Sequence, residues 1–238
     1  MPKIGKSTMP WYTKAVVFMT LSVVQWLPMA ARAQSATLRP MIEVRTRLGT
    51  MVVALYNETP EHRDLFLARV RSGTMDSVLL HRIVPGFVVE GGDPASKNAA
   101  PGVPLGLDPD TVGLPLTVVP GLIHRKGALA AAPAGDTPAL QGRSHRDRFY
   151  FVLGVPYAPS ELERINTRSA AHGTPFTYSE NDRSDYATEG GQPRLDGTCT
   201  VFGQVVSGLE VLDALAQEPC NTWDRPMEDI PISMRILQ

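Results

Sequence analysis

Short runs with the alternation typical of β-strands recur along this chain and limit the folds open to it. Residues 41–46 alternate at period two, and after residues 47–49 the run 51–56 repeats the pattern, which predicts an opening hairpin. Further strand patterns occupy residues 78–84, 87–90, 128–132, 149–153, 200–206 and 230–237. Because no helix pattern alternates with these strands in βαβ order, they predict a mainly antiparallel barrel with helices at its ends.

Helices are expected at three places between the strands. Thr59 and Pro60 supply an N-cap and a first helical position, and Gly73 ends that helix. Residues 209–217 carry leucines at helical spacing, and residues 160–168 predict a short helix.

Long stretches without any period separate these elements. Residues 94–126 and 133–146 are rich in Pro, Gly, Ala and Asp and predict loops. Loops of such length in a compact domain usually carry function. The polar residues that follow the short helix predict a surface insertion, which spans about 157–193 with that helix included and to which we assign no function.

The beginning of the chain has the order of a secretory signal peptide. Three lysines precede an apolar run over residues 15–30, and small residues follow up to Ala33, where cleavage is expected. A membrane anchor is the alternative, but the run contains polar residues and is shorter than the roughly 20 residues that span a bilayer. We therefore expect export to a periplasm or out of the cell. The expected parts are a signal peptide at 1–33, a short linker at 34–40 and one domain at 41–238.

Charge and motif content exclude several classes of function. Removal of residues 1–33 takes four of the 23 basic residues and none of the 24 acidic ones, which leaves a net charge of −5. This charge argues against nucleic acid and anionic membranes as partners. The five histidines have no metal-ligand spacing, so no metal or cofactor is expected. No GxSxG, HExxH or Walker A motif is present. The two cysteines, Cys199 and Cys220, could pair in an oxidising compartment or stay free.

One segment makes the chain recognisable. His81-Arg82-Ile83-Val84-Pro85-Gly86-Phe87, followed by Glu90-Gly91-Gly92-Asp93, resembles the signature of the cyclophilin family of peptidyl-prolyl isomerases, here of an exported bacterial type. Residues 127–132, 149–152 and 195–203 resemble further family segments in the same order. The resemblance implies a closed eight-stranded antiparallel barrel capped by two helices, and isomerisation of prolyl bonds in proline-containing polypeptides by a monomer without a cofactor.

The same resemblance assigns roles to twelve residues. Arg82 matches the family's catalytic arginine, and a guanidinium suits the task because it keeps its charge and offers several donors in a rigid plane. The residues expected to bind substrate are His81, Phe87, Val88, Glu90, Ala132, Pro133, Arg148, Tyr150, Arg194, Leu195 and Cys199. Several depart from the family's usual residues, and Pro133 has no N–H to donate to a substrate backbone.

Glu90 and Arg148 stand where the family usually has glutamines. Since an unpaired carboxylate would hold the Arg82 guanidinium away from substrate, we expect Glu90 to pair with Arg148 or to be shared between Arg148 and Arg82. Independent drift at two surface positions is the alternative.

Three functions are open at this point. The first is an isomerase that assists the folding of exported proteins, in which slow proline isomerisation limits folding. The second is a low-turnover module on the same fold that binds a proline-containing loop. The third is a small-ligand carrier, which would need a large apolar cavity inside the barrel.

Overall fold

A computed structural model of the chain describes Met1, residues 38–171 and residues 176–237. Apart from Met1, the predicted signal peptide lies outside the described residues, and so does the first part of the predicted linker. Residues 38–40 have no regular secondary structure and lead into the first strand.

The described part of the chain contains nine strands and four α-helices. The strands are β1 (Met41–Thr46), β2 (Gly49–Leu55), β3 (Leu80–Val84), β4 (Val88–Gly91), β5 (Leu114–Pro115), β6 (Ala128–Pro133), β7 (Arg143–Val152), β8 (Val201–Ser207) and β9 (Ser233–Leu237). The helices are α1 (Pro60–Arg71), α2 (Pro159–Ala171), α3 (Glu180–Thr188) and α4 (Leu209–Leu215). Short 3₁₀ helices lie at Pro94–Ser96, Pro138–Leu140 and Pro193–Leu195.

Eight of the strands form one curled antiparallel sheet in the order β3-β4-β7-β6-β8-β2-β1-β9, and the two-residue β5 pairs with β7. The opening hairpin forms as its alternation predicts, with Thr46 opposite Gly49. Ile42, Val44 and Met51 are buried on one face of this hairpin. The mainly antiparallel β-class is therefore confirmed.

The strand order does not close into the expected barrel, and the sheet is an open half-barrel. β3 and β9, at its two ends, share no ladder among the described residues. Leu79 and Pro231 make an isolated bridge there. Backbone hydrogen bonds flank it, from the Leu80 N–H to the Ile230 carbonyl and from the Ile232 N–H to the Val78 carbonyl, each at 2.9 Å.

Buried aromatic side chains join the sheet to its helices. Phe66 of α1 meets Phe149 and Phe202 edge-on, with ring centroids 5.4 and 5.3 Å apart. Leu212 and Leu215 of α4 are fully buried against the same cluster. Side chains thus fill the interior of the half-barrel, which argues against the carrier function.

The predicted insertion contains two helices rather than one. α2 extends the predicted short helix, and α3 was not expected because its sequence has almost no apolar stripe. A capping box starts α3: Ser179 accepts from the Asp182 N–H at 3.2 Å, and Asp182 accepts from the Ser179 N–H at 2.9 Å. Within residues 38–171 and 176–237, no helix is long and apolar enough to cross a membrane.

Part of the two predicted loops is strand. β7 begins at Arg143, inside the predicted loop 133–146, and β5 lies inside the predicted loop 94–126. The first residues of β7 are polar or charged without alternation, so periodicity gave no signal. Their partner, β5, is distant in sequence and only two residues long.

Phe149→Ala tests how far stability depends on the aromatic cluster. The substitution leaves a cavity between Phe66 and Phe151, so the free energy of unfolding should fall by about 3–5 kcal/mol. Urea unfolding followed by circular dichroism measures the change. Val206→Ala, on the exposed part of β8, is the control and should stay within about 0.5 kcal/mol of wild type. Equal effects of the two substitutions would contradict this role of Phe149.

Candidate active site

The segment around Arg82 forms the tight hairpin of β3 and β4. Arg82 lies directly opposite Glu90 in the register of the two strands. The Phe87 N–H donates to the Val84 carbonyl at 2.9 Å across the turn, where Gly86 takes a positive φ of 71°. Residues directly opposite on antiparallel strands point to the same face, so the hairpin brings the guanidinium and the carboxylate together.

A pocket of about 220 Å³ lies beside Arg82. Its walls come from the β3–β4 hairpin, the end of β6, the middle of β7 and the segment before β8. Nine of the twelve predicted site residues line it: Arg82, Phe87, Val88, Glu90, Ala132, Pro133, Tyr150, Leu195 and Cys199. A pocket of this size, smaller than those that hold drug-sized ligands, suits one small apolar ring or side chain.

Three predicted substrate-binding residues lie outside this pocket. Arg194 is exposed on the last 3₁₀ helix. His81 is buried, and burial lowers its pKa to about 4, so the imidazole is neutral at pH 7. The guanidinium of Arg148 donates to the carbonyls of Gly106 and Asp108 instead of facing the pocket.

Glu90 stands between two arginines. Its Oε1 lies 3.5 Å from Nη1 of Arg148, and its Oε2 lies 3.6 Å from Nη1 of Arg82. Burial raises the pKa of Glu90, while the charges of Arg148 and Arg82 oppose this rise. The geometry is the shared pairing expected from the sequence.

Asp224 is a neighbour of Arg82 that the sequence analysis missed. Its Oδ2 lies 3.4 Å from Nε of Arg82, and its carbonyl accepts from the Ile83 N–H at 2.8 Å. Asp224 also takes a positive φ of 60°, which is uncommon outside glycine. No local motif marks this residue, because it reaches Arg82 only through the fold of the segment before β9.

The hydroxyl of Tyr150, in the wall of the pocket, is held by a buried histidine. It lies 3.0 Å from Nε2 of His124, and Nδ1 of His124 lies 2.8 Å from Oδ1 of Asp196. Because a carboxylate accepts, Nδ1 of His124 donates to Asp196, and Nε2 on the other side of the ring is hydrogen-bonded to the Tyr150 hydroxyl. The sequence analysis gave His124 and Asp196 no role at the site.

Asp196 also connects the pocket to the insertion. Its Oδ2 accepts from the hydroxyls of Tyr178 at 2.8 Å and Tyr186 at 2.6 Å. Burial, followed by the charge of Asp196, raises the pKa of both tyrosines, so both remain donors over the physiological range. The insertion is therefore linked to the wall of the pocket by a continuous chain of hydrogen bonds.

The remaining reactive side chains form no further centre. Cys199 is buried in the pocket wall and Cys220 is partly exposed; both are free thiols, and burial raises the pKa of each. In the part of the chain that the structure describes, no group of three or more His, Cys, Asp or Glu side chains could hold a metal ion.

Tyr150→Phe tests the buried chain of hydrogen bonds. The variant keeps the apolar wall but leaves Nε2 of His124 without its hydrogen-bond partner, so the free energy of unfolding should fall by about 1–3 kcal/mol. Chemical denaturation measures the difference. Tyr157→Phe, a partly exposed tyrosine that stacks edge-on against Tyr186, serves as the matched control and should change little. An unchanged unfolding midpoint in Tyr150→Phe would show that the hydroxyl contributes nothing.

Comparisons with known proteins identify the family of the chain. The family model described as cyclophilin type peptidyl-prolyl cis-trans isomerase/CLD matches residues 41–235. A Streptococcus pyogenes protein described as a bifunctional phosphatase/peptidyl-prolyl cis-trans isomerase is 31% identical over 198 residues, which are 81% of this chain and 37% of that protein. The chain thus spans little more than a third of that relative. The Schizosaccharomyces pombe peptidyl-prolyl cis-trans isomerase ppi1 is 27% identical over 192 residues, which are 80% of this chain and 94% of that protein.

Solved structures share the fold. A cyclophilin type peptidyl-prolyl cis-trans isomerase of Cryptosporidium parvum superposes with a TM-score of 0.57 at 21% identity, over 84% of this chain and 98% of that one. A second structure of that protein, determined in the presence of the dipeptide Ala-Pro, gives a TM-score of 0.55. Because the family model covers most of the sequence, the chain belongs to the family of cyclophilin-type peptidyl-prolyl cis-trans isomerases.

Proposed function

We propose that this protein catalyses cis/trans isomerisation of peptide bonds before proline, with the proline ring in the pocket beside Arg82. The observation that carries this function is the position of one guanidinium at the rim of a small apolar pocket. Relatives of the chain are named as peptidyl-prolyl cis-trans isomerases, and a related structure was determined in the presence of Ala-Pro.

The reaction needs a placed donor rather than a nucleophile. Rotation about the prolyl amide breaks the resonance of its C–N bond, against a barrier of roughly 18–20 kcal/mol. In the twisted state the nitrogen becomes pyramidal and basic, so a fixed N–H of Arg82 aimed at it stabilises that state more than the planar one. The apolar wall of Phe87, Val88 and Leu195 holds the ring while the bond turns, and no covalent bond forms or breaks.

The carboxylates near Arg82 leave its N–H groups available. Their oxygens lie 3.6 Å (Glu90) and 3.4 Å (Asp224) from the guanidinium nitrogens, beyond the roughly 2.7–2.9 Å of strong charge-assisted hydrogen bonds. Both contacts orient the guanidinium, whose side chain is 37% exposed. If they held it too tightly, the protein would bind proline-containing loops with little turnover, which is the second candidate function.

The natural substrates belong to the same proposal. The basic and apolar residues that begin the chain, with Ala33 as the expected cleavage site, support export. The clients would then be newly translocated proteins in a periplasm or outside the cell, where prolyl isomerisation limits folding. Detection of the chain in the exported fraction, shortened after Ala33, tests the location; an unshortened chain in the cytosol would contradict it.

Arg82→Ala is the direct test of catalysis. Loss of the donor should lower kcat/KM for an Ala-Pro peptide by roughly a hundredfold to a thousandfold. A protease-coupled or NMR exchange assay measures the rate, and Arg45→Ala, which removes another exposed strand arginine, is the matched control. If wild type and Arg82→Ala isomerise the peptide equally, the catalytic function is wrong. Peptide binding without turnover in wild type would favour the second candidate.

The pairing of Glu90 with Arg148 predicts the direction in which substitutions at these two positions change kcat/KM. Arg148→Gln leaves the Glu90 carboxylate to Arg82 alone, so kcat/KM should fall. Glu90→Gln in the same chain should restore it, because the neutral amide no longer holds the guanidinium. A double-mutant cycle read in kcat/KM should give a coupling of about 0.5–3 kcal/mol. Effects that simply add would show that the two positions vary independently.

A further inference from the structure

A second hollow, of about 330 Å³, adjoins the proline pocket. Arg82 and Glu90 line both, so a polypeptide that places a proline in the first pocket would lie next to the second. The remaining lining residues of the second hollow are His81, Pro104, Leu105, Gly106, Leu107, Thr222, Trp223 and Asp224. None of these eight lines the first pocket.

Buried polar contacts fix one wall of this hollow against the other. Arg225 is 1% exposed, and its Nη1 donates at 2.9 Å to the carbonyls of Ala100 and Val103. The same guanidinium binds both carboxylate oxygens of Asp229, at 2.8 and 2.9 Å. The segment that carries Trp223 is thereby tied to the loop that leads to Leu107.

The floor of the hollow is fixed in the same way. The Gly106 N–H donates to Oδ2 of Asp93 at 2.7 Å, and the Gly106 carbonyl accepts from Arg148. A side chain at position 106 would meet His81, since an added Cβ would lie 2.5 Å from its Nε2. His81 is 2% exposed, and neither ring nitrogen has a hydrogen-bond partner of good geometry.

Two large apolar side chains beside the hollow are exposed. Trp223 is 58% and Leu107 is 69% exposed, although both flank the hollow. Next to Trp223, the side chain of Asp224 is 49% exposed and reaches Arg82 only at 3.4 Å. An exposed indole beside an exposed carboxylate is the combination that attracts an ammonium or a guanidinium.

We propose that this hollow is a subsite for a lysine or arginine of the polypeptide substrate, close in sequence to the isomerised proline. The inference rests on the proposed isomerase function and adds a substrate preference to it. The methylene stem of the basic residue packs on Leu105, Leu107 and Trp223, and its charged head reaches Asp224. An acidic residue would meet Asp224 and Glu90, and a wholly apolar one would cover the Asp224 carboxylate without pairing it.

The cation of Arg82 does not oppose this occupant. Oε2 of Glu90 lies 3.6 Å from Nη1 of Arg82 and offsets its charge. Arg148, the other nearby arginine, does not line the hollow. A basic side chain that takes Asp224 as its partner also relieves Arg82 of one of its two carboxylates. The guanidinium then has more of its N–H groups free for the prolyl nitrogen.

The test is a series of Ala-Pro peptides that carry lysine, norleucine or glutamate at each position within three residues of the proline. At the position that enters the hollow, kcat/KM for lysine should exceed that for norleucine by about two- to fivefold, and glutamate should be the poorest. Trp223→Ala and Asp224→Asn should each remove the preference. Met227→Ala, at an exposed residue of the same segment that does not line the hollow, should keep it. The ratio of two peptides within one variant cancels any change in basal rate.

A binding measurement separates this inference from the isomerase function. In the full chain with Trp11→Phe and Trp26→Phe, Trp223 is the one remaining tryptophan, so its fluorescence reports occupancy of the hollow. Tighter binding of lysine peptides with a Trp223 signal but no turnover would reject catalysis and keep the subsite. Turnover without any preference, a preference for norleucine, or a lysine preference that survives both variants would overturn the subsite.

Discussion

The buried carboxylate of Asp196 is the interaction on which the rest of the site depends. It accepts the backbone N–H and the Nδ1–H of His124 and the hydroxyls of Tyr178 and Tyr186, and its side chain is 1% exposed. A buried carboxylate without such partners would destabilise the fold by several kcal/mol. These four donors come from a loop before β6 and from the insertion, so one charge fixes both. Asp196 also fixes the wall of the pocket beside Arg82, because His124 binds both Asp196 and Tyr150.

Carboxylates also contact Arg82, but at longer distances than the donors that surround Asp196. Donors converge on Asp196 at 2.6–2.9 Å, but the carboxylates of Glu90 and Asp224 stay 3.4–3.6 Å from the guanidinium. Short contacts would immobilise the guanidinium that the proposed mechanism uses as a donor, and an absence of contacts would let a long side chain sample many rotamers. Arg148 moderates this balance because it shares Glu90 and is itself anchored to backbone carbonyls.

The sequence predicted those parts of the molecule that local pattern controls. The opening hairpin, α1, α4 and the strand pair around Arg82 follow from alternation, helical spacing and one motif, although the Thr59 side chain makes no capping hydrogen bond to α1. The open edge between β3 and β9 could not be predicted, because the short pairing around Leu79 and Pro231 joins segments far apart in the sequence and has no local signature. Asp224 and the link from Tyr150 through His124 to Asp196 were missed for the same reason: each joins side chains from separate loops, and neither has a local signature.

The charges of Glu90 and Arg148 both influence Arg82. The family resemblance places neutral amides where Glu90 and Arg148 stand; relative to two amides these residues add one charge of each sign, so the local sum is unchanged while the field at Arg82 is not. Burial favours the protonated form of Glu90, and the two arginines favour the ionised form. The strength with which Arg82 is held therefore depends on charges outside the proline pocket. If a basic substrate residue binds Asp224 as proposed, it acts on the same balance, and recognition beside the proline is then coupled through Arg82 to the proposed donation to its nitrogen.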